Sequence, residues 1–173
     1  LDFSKLQNSK LELEKVHFDI FQILENIYML FEKQAQDNNS ALSFSMSPDT
    51  PKVLLGDPYR LKQIIINLVS NAVKFTKNGK VHFTVKAEKK QQAGIELVIE
   101  VIDSGIGIEE SKLDFIFEDF TQAEMSTTRE YGGTGLGLSI VKRLVDLHHG
   151  RIECKSRINE GTKISCYLPY LTG

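Results

Sequence analysis

Hydrophobic residues recur every three or four positions between Asp57 and Thr76, the spacing of one face of an α-helix. The apolar positions at this spacing are Leu61, Ile64, Ile65, Leu68, Val69 and Ala72. Asp57 followed by Pro58 is typical of a helix start, because aspartate caps the first free N–H groups and proline fits the first turn. The pattern therefore predicts a buried helix over residues 57–76.

The polar face of this predicted helix is narrow, and we call its residues the polar stripe: Arg60, Gln63, Asn67, Asn71 and Lys74. At about 100° per residue these five positions fall within a wedge of roughly 80°. A solvated surface face is the simpler interpretation. Two observations oppose it: no carboxylate lies between Arg60 and Lys74, and asparagine is unfavourable inside helices, so a pair one turn apart requires a reason.

The rest of the chain mixes helices and strands without regular alternation. A helical remnant is predicted at residues 1–7, helices at 19–36 and 136–149, and strands at 10–18, 41–47, 80–88, 95–102, 152–156 and 163–168. Residues 109–131 are mixed in character. The order predicts an α+β fold, a two-layer sandwich with helices on one face of a mixed, mostly antiparallel sheet.

Composition limits the class of protein. The 173 residues are 41% hydrophobic and 25% charged, which suits one main soluble domain. The net charge of -2 and the lack of a basic tract argue against nucleic acid as a partner. No apolar run approaches the roughly 20 residues of a membrane span. We therefore expect no membrane contact by this piece and a cytoplasmic location. Cys154 and Cys166 are expected to be reduced thiols, although they could be cross-strand neighbours.

Glycines are concentrated in two runs, which flank the mixed segment at residues 109–131. Asp103 follows a predicted strand and precedes Gly105 and Gly107; a simple turn is an equally good interpretation of this motif alone. The run at residues 132–138 (GGTGLGL) opens a predicted helix, whose first N–H groups can bind an anion, whereas a flexible linker would fit that apolar helix poorly. Neither run matches a P-loop or a dinucleotide-binding loop.

Four motifs in this order resemble the catalytic and ATP-binding domain of sensor histidine kinases, most closely the hybrid-type bacterial ones. They are NLVSNAVKFT at 67–76, DSGIG at 103–107, FIFEDF at 115–120 and GGTGLGL at 132–138. The resemblance implies the Bergerat fold, with ATP and Mg²⁺ bound between the polar stripe and a mobile lid at about residues 108–134. It also implies that residues 1–13 are the tail of a dimerisation helix with its linker and that 14–173 form the catalytic domain.

The resemblance assigns roles residue by residue. Asn71 corresponds to the Mg²⁺ ligand, Asn67 lines the same site, and Lys74 contacts phosphate. Asp103 accepts a hydrogen bond from the adenine amino group, and Phe75 is an aromatic wall for the base. Backbone close to the nucleotide is expected at Gly105, Gly107, Ile108, Gly133, Thr134, Gly135, Leu136 and Gly137. On the lid side lie Tyr131 and Arg129, the candidate for the γ-phosphate, while Phe117 and Phe120 anchor the lid. The expected catalytic set is Asn67, Asn71, Lys74 and Arg129.

The sequence departs from the family pattern at two places. Asp119 stands where relatives often have proline, so the lid is expected to be less rigid at that corner. In the last glycine box, Asn159 replaces the first glycine. Because asparagine tolerates positive φ, the turn should survive, but Thr162 is not among the expected ligand contacts.

The phosphoryl acceptor is expected to be a histidine rather than water. In the ATPase relatives of the superfamily a glutamate one turn before the magnesium asparagine is the general base, and an amide at Asn67 cannot take a proton. The chain's own histidines, at positions 17, 82, 148 and 149, are poor acceptor candidates. The implied partners are therefore the histidine-bearing dimerisation domain of the same kinase and a response-regulator receiver domain, within a homodimeric, membrane-anchored protein. A superfamily ATPase or protein serine kinase, and a non-catalytic docking module, remain as alternatives.

Overall fold

The structure, a computed structural model, describes residues 12–89, 94–118 and 137–172. Its helices are α1 (Ile20–Asp37), α2 (Pro58–Lys74) and α3 (Gly137–Leu147), with a single 3₁₀ turn at Glu110–Lys112. Its strands are β1 (Val16–Asp19), β2 (Ala41–Met46), β3 (Val53–Gly56), β4 (Lys80–Lys89), β5 (Ile95–Asp103), β6 (Arg151–Arg157) and β7 (Gly161–Thr172). None of the described helices is long and apolar enough to cross a membrane.

The seven strands form one mixed sheet in the order β1-β3-β7-β5-β4-β2, and β6 pairs with the first half of β7. Every pairing is antiparallel except that of β2 with β4. Alternate residues of the central strands form one hydrophobic cluster with the buried faces of α1, α2 and α3. This two-layer architecture confirms the predicted α+β sandwich.

Helix α2 lies at the centre of the helical layer and follows the predicted pattern. The Asp57 side chain caps it by accepting a hydrogen bond from the Arg60 N–H at 3.0 Å, and Pro58 is its first residue. The apolar side chains that it buries are Leu61, Ile64, Ile65, Leu68, Val69, Ala72 and Val73. Burying a side chain of this kind is worth about 1.5–3 kcal/mol, so packing holds the helix in place.

Strand β3 differs from the sequence prediction, which has a loop at residues 47–51 followed by the helix and no strand between them. Val53–Gly56 has only four residues, and its partners are β1 and the end of β7, which are distant in the chain. The first strand is also shorter than predicted, at Val16–Asp19 instead of 10–18. Strand β7 extends to both sides of the predicted 163–168, because β6, β5 and β3 pair with different parts of it.

Candidate functional site

The polar stripe of α2 meets the N-terminal end of α3. A methyl group built on Gly137 would lie 3.5 Å from Nδ2 of Asn71 and 3.9 Å from Oδ1 of Asn67, so the start of α3 faces both amides across a gap about as wide as one methyl group. The N–H groups of a first helical turn have no partner within the helix and carry the positive end of its dipole. Two helices thus bring an anion-binding helix end and two amide side chains to one place.

The stripe is not a solvated surface face. Gln63, Asn67, Asn71 and Lys74 are all half-buried, and Arg60 is only 7% exposed. The Asn67 Nδ2 donates a hydrogen bond to the Gln63 carbonyl at 3.0 Å, which leaves its Oδ1 on the side of α3. The Asn71 side-chain amide has no hydrogen-bond partner among the described residues, and its Oδ1, like that of Asn67, lies 3.9 Å from a methyl group built on Gly137.

Lys74 continues the stripe one turn beyond Asn71, at the end of α2. Its Nζ lies 5.4 Å from the centroid of the Phe75 ring, within the range of a cation–π interaction. Burial lowers the pKa of the Lys74 ammonium from its ordinary value, because a less hydrated charge is less stable. The only cation of the described stripe besides Arg60 is therefore placed beside an aromatic ring at the mouth of the site.

Asp103 is the last residue of β5, which extends one residue beyond the predicted strand of 95–102. Its Oδ1 accepts a hydrogen bond from the Gly105 N–H at 2.9 Å. Burial raises the pKa of the Asp103 carboxyl, and the backbone N–H groups of Gly105 and Thr162 partly offset that effect. An ionised carboxylate can only accept hydrogen bonds, so Asp103 offers an acceptor to a ligand that carries an amino group.

The loop after Asp103 is attached to the C-terminal end of α2. The Ile106 N–H donates to the Phe75 carbonyl at 3.3 Å. A Cβ atom on Gly105 would collide with that same carbonyl and with the Thr76 hydroxyl, so only glycine allows so close an approach. This contact places Phe75, the predicted aromatic wall, next to the loop that carries Asp103.

The far end of the loop is attached to the hairpin of β6 and β7. Gly107 has a φ of +74°, and a Cβ atom there would collide with the Arg157 carbonyl. The next residue, Ile108, donates its N–H to the Ser156 Oγ at 2.8 Å. The tip of the hairpin contains Asn159 with a φ of +63°, in agreement with the expectation that asparagine keeps this turn.

Several of the predicted site residues lie outside the described part of the chain: Arg129, Tyr131, Gly133, Thr134, Gly135 and Leu136, together with Asp119 and Phe120 of the lid. Phe117 is described and packs half-buried against the hydrophobic core.

The sequence interpretation did not select Thr162, Ser156 and Cys154, which the sheet brings to the Asp103 end of the site. Thr162 of β7 is directly opposite Asp103, and Ser156 of β6 is directly opposite Thr162. The hairpin turn alone could have paired Ser156 with Thr162, but their position beside β5 could not be read from the local sequence. Cys154 is a free thiol whose pKa is raised to about 11 by burial and by the charge of Asp103, so it is protonated at neutral pH.

Comparison with known proteins places this site in a family. Residues 56–172 match the family described as histidine kinase-, DNA gyrase B-, and HSP90-like ATPases. The chain is 39% identical over 178 residues to hybrid signal transduction histidine kinase A of Dictyostelium discoideum, covering 99% of this chain and 8% of that protein. It is 44% identical over 175 residues to the autoinducer 2 sensor kinase/phosphatase LuxQ of Vibrio parahaemolyticus, covering 98% of this chain and 20% of LuxQ. The chain thus spans a small part of these relatives.

Solved structures show the same fold. Full-length ShkA in complex with AMPPNP superposes with a TM-score of 0.84 at 29% identity, over 99% of this chain and 34% of ShkA. The histidine kinase ThkA in complex with the response regulator protein TrrA superposes with a TM-score of 0.71 at 28% identity, over 96% of this chain and 45% of that one. The chain therefore belongs to the histidine kinase-, DNA gyrase B- and HSP90-like ATPases, and within that family it is an ATP-binding catalytic domain of the sensor histidine kinase type.

Proposed function

We propose that this chain transfers the γ-phosphoryl group of ATP to a histidine on the dimerisation domain of the same kinase, with Mg²⁺ as the metal ion. The observation that carries the proposal is the approach of Gly137, at the N-terminus of α3, to Asn67 and Asn71 of α2. This geometry offers N–H donors for phosphate and amide oxygens for a hard cation at the same point.

The residues present suit Mg²⁺. This ion is usually held by one or two protein oxygens together with phosphate oxygens and water, and the free Oδ1 of Asn71 is such a ligand. Bound there, Mg²⁺ would neutralise charge on the phosphates of ATP. Asn67 supports the same site, and the Lys74 ammonium at the end of the stripe would pair with a phosphate oxygen.

At the other end of the site, Asp103 would accept a hydrogen bond from the adenine amino group, and Phe75 would pack against the base. We propose that the backbone of Gly105, Gly107 and Ile108 lies close to the base. Their loop is attached to the end of α2 through Ile106 and to β6 through Ile108. On the lid we propose Arg129 for the γ-phosphate, Tyr131 beside it, and backbone contacts to phosphate at Gly133, Thr134, Gly135 and Leu136.

Water is a poor acceptor in this site. The amide at Asn67 cannot take a proton at neutral pH, and its Nδ2 is already hydrogen-bonded to the Gln63 carbonyl. The acceptor must therefore be a nucleophile that needs no general base from this site, such as the neutral imidazole of a histidine on a partner domain.

Two histidines of the chain are held by other contacts. His148 is 4% exposed, with Nδ1 at 2.7 Å from the Leu144 carbonyl and Nε2 at 3.0 Å from the Tyr170 hydroxyl. His82 lies between two serine hydroxyls on the outer face of the sheet. These contacts make His82 and His148 poor candidates for the phosphoryl acceptor.

For the whole protein we propose a cytoplasmic catalytic region in a homodimeric, membrane-anchored kinase, with a response-regulator receiver domain as the next phosphoryl acceptor. The complex of ThkA with TrrA supports a receiver as partner.

The test is to mix the domain with ATP, Mg²⁺ and a histidine-bearing dimerisation fragment of the same kinase. Acid-labile phosphate should appear on that fragment, and Asn71→Ala should lower its rate on the order of 100-fold, as expected when a group that stabilises transition-state charge is removed. Asn26→Ala makes the same chemical change at an exposed position of α1 and should leave the rate unaltered.

Each other outcome would assign the chain to a different functional class. Rapid release of free phosphate would mean an ATPase, and acid-stable phosphoserine would mean a serine kinase. A domain whose melting temperature does not respond to Mg²⁺ and an ATP analogue would be a docking module that binds no nucleotide.

A further inference from the structure

Three polar side chains form a row across the sheet at the Asp103 end of the site. Asp103 of β5 is opposite Thr162 of β7, and Thr162 is opposite Ser156 of β6. Directly opposed residues of antiparallel strands carry their side chains on the same face, with Cβ atoms about 4.5–5.5 Å apart. A carboxylate and two hydroxyls thus lie side by side, and Ser156 is the member farthest from the carboxylate.

Ser156 is the centre of a small hydrogen-bond network. Its Oγ accepts from the Ile108 N–H at 2.8 Å, lies 2.9 Å from the Gly161 carbonyl and lies 2.7 Å from the Thr162 Oγ1. A serine hydroxyl has one proton and two lone pairs. All three contacts are satisfied together when Ser156 donates to Gly161 and accepts from both Ile108 and Thr162. In that arrangement the Thr162 proton is occupied, and its oxygen can only accept further hydrogen bonds.

The turn itself does not depend on this network. The Asn159 N–H donates to the Ile106 carbonyl at 2.8 Å, and the Glu160 N–H donates to the Arg157 carbonyl at 3.1 Å, so backbone contacts already hold the tip of the hairpin and attach it to the loop. What Ser156 adds is the position of the Ile108 amide and the direction of the Thr162 hydroxyl. Both of these groups border Asp103 and its loop.

We propose that Ser156 is a positioning residue for recognition of the adenine base. It holds the Ile108 amide against the hairpin and keeps Thr162 as a hydrogen-bond acceptor beside Asp103. The base then meets a fixed row of acceptors, which suits the amino group of adenine and disfavours the carbonyl of guanine. This inference rests on the proposed nucleotide-binding function and concerns only the base end of the site.

The experiment compares the affinity for a nucleotide with the affinity for its phosphates alone. Calorimetric titrations with Mg²⁺ and either ADP or inorganic tripolyphosphate are made on the wild type, Ser156→Ala and Ser156→Thr. We expect Ser156→Ala to weaken ADP binding about tenfold, equivalent to about 1.4 kcal/mol, and to leave tripolyphosphate binding unchanged. Ser156→Thr keeps the hydroxyl and should restore ADP binding. Ser45→Ala, on the outer face of the sheet, removes a hydrogen-bonded serine remote from the site and should change neither affinity.

Two further variants test whether the effect of Ser156 on ADP binding acts through Thr162 and Asp103. Thr162→Val removes the neighbouring hydroxyl at constant shape and should also weaken ADP without affecting tripolyphosphate. In a protein that already carries Asp103→Asn, Ser156→Ala should lower the affinity for ADP less than threefold, because both residues act on the same base. Unchanged ADP binding in Ser156→Ala or Thr162→Val, or an equal loss for both ligands, overturns the inference. A wild-type domain that binds no ADP overturns the proposed function, and the inference with it.

Discussion

Replacement of Gly137 by alanine is expected to stabilise the nucleotide-free domain. Gly137 is the first residue of α3, and the described atoms nearest to the new methyl group are 3.5–3.9 Å away, which is ordinary van der Waals contact. Alanine instead of glycine in a helix is worth up to about 1 kcal/mol. In a domain of this size that corresponds to a rise in melting temperature of about 2–4 °C at most.

The same methyl group should abolish nucleotide binding, because it fills the space between the N-terminus of α3 and the amides of Asn67 and Asn71. A ligand at 100 times its Kd stabilises the protein that binds it by about 2.7 kcal/mol. For the wild-type domain this gives a rise of about 5–10 °C in melting temperature. In Gly137→Ala that rise should disappear although the fold is at least as stable.

The assay is thermal unfolding with and without Mg²⁺ and a non-hydrolysable ATP analogue. Asn26→Ala, which improves helix propensity at an exposed position of α1, is the control: it should raise the melting temperature and keep the full response to the analogue. The reasoning is refuted if Gly137→Ala keeps the response of the wild type. It is equally refuted if the variant melts well below the wild type, since the methyl group would then not fit.

Three other substitutions test the electrostatics of the fold and the site. Asp103→Asn removes a carboxyl whose pKa is raised by burial, so calorimetry should show weaker ATP binding while the nucleotide-free domain melts no lower than the wild type. Lys74→Met keeps a side chain of similar length but removes the ammonium that lies over the Phe75 ring, so the affinity for tripolyphosphate should fall and its salt dependence should weaken. Burial lowers the pKa of His148 below its ordinary 6.5. As the pH falls below about 6.5, the unfolded chain therefore takes up a proton at His148 more readily than the folded domain does, and the free energy of unfolding should decrease. This dependence should flatten in His148→Gln and persist in His149→Asn, which alters an exposed neighbour.

Helix α2 and its polar stripe could be predicted because their signals are local. The aspartate cap, the following proline and the apolar period all lie within one segment, and a helix of 17 residues with these features forms the same face in almost any fold. Strand β3 could not be predicted in this way. Its four residues form a strand because β1 and the end of β7 supply hydrogen-bond partners from distant parts of the chain.

The same distinction between local signals and distant contacts applies to the residues of the candidate site. Asn67, Asn71 and Lys74 were selected because their amide and ammonium groups suit magnesium and phosphate, on a helix face that the local pattern predicts. The role of Asp103 toward adenine came from the resemblance to sensor histidine kinases. Ser156 was missed, although it accepts a hydrogen bond from the Ile108 N–H, because neither partner has an unusual local sequence.

By itself, the sequence determined which segments are helices and long strands, which face of α2 is polar, and which residues have the chemistry for a magnesium–nucleotide site. Only the tertiary structure decided that the start of α3 lies against Asn67 and Asn71, and that Thr162 and Ser156 extend a row from Asp103. The physical reason is that local periodicity follows from the chain's own geometry, whereas helix packing and strand register depend on contacts between residues that are far apart in sequence.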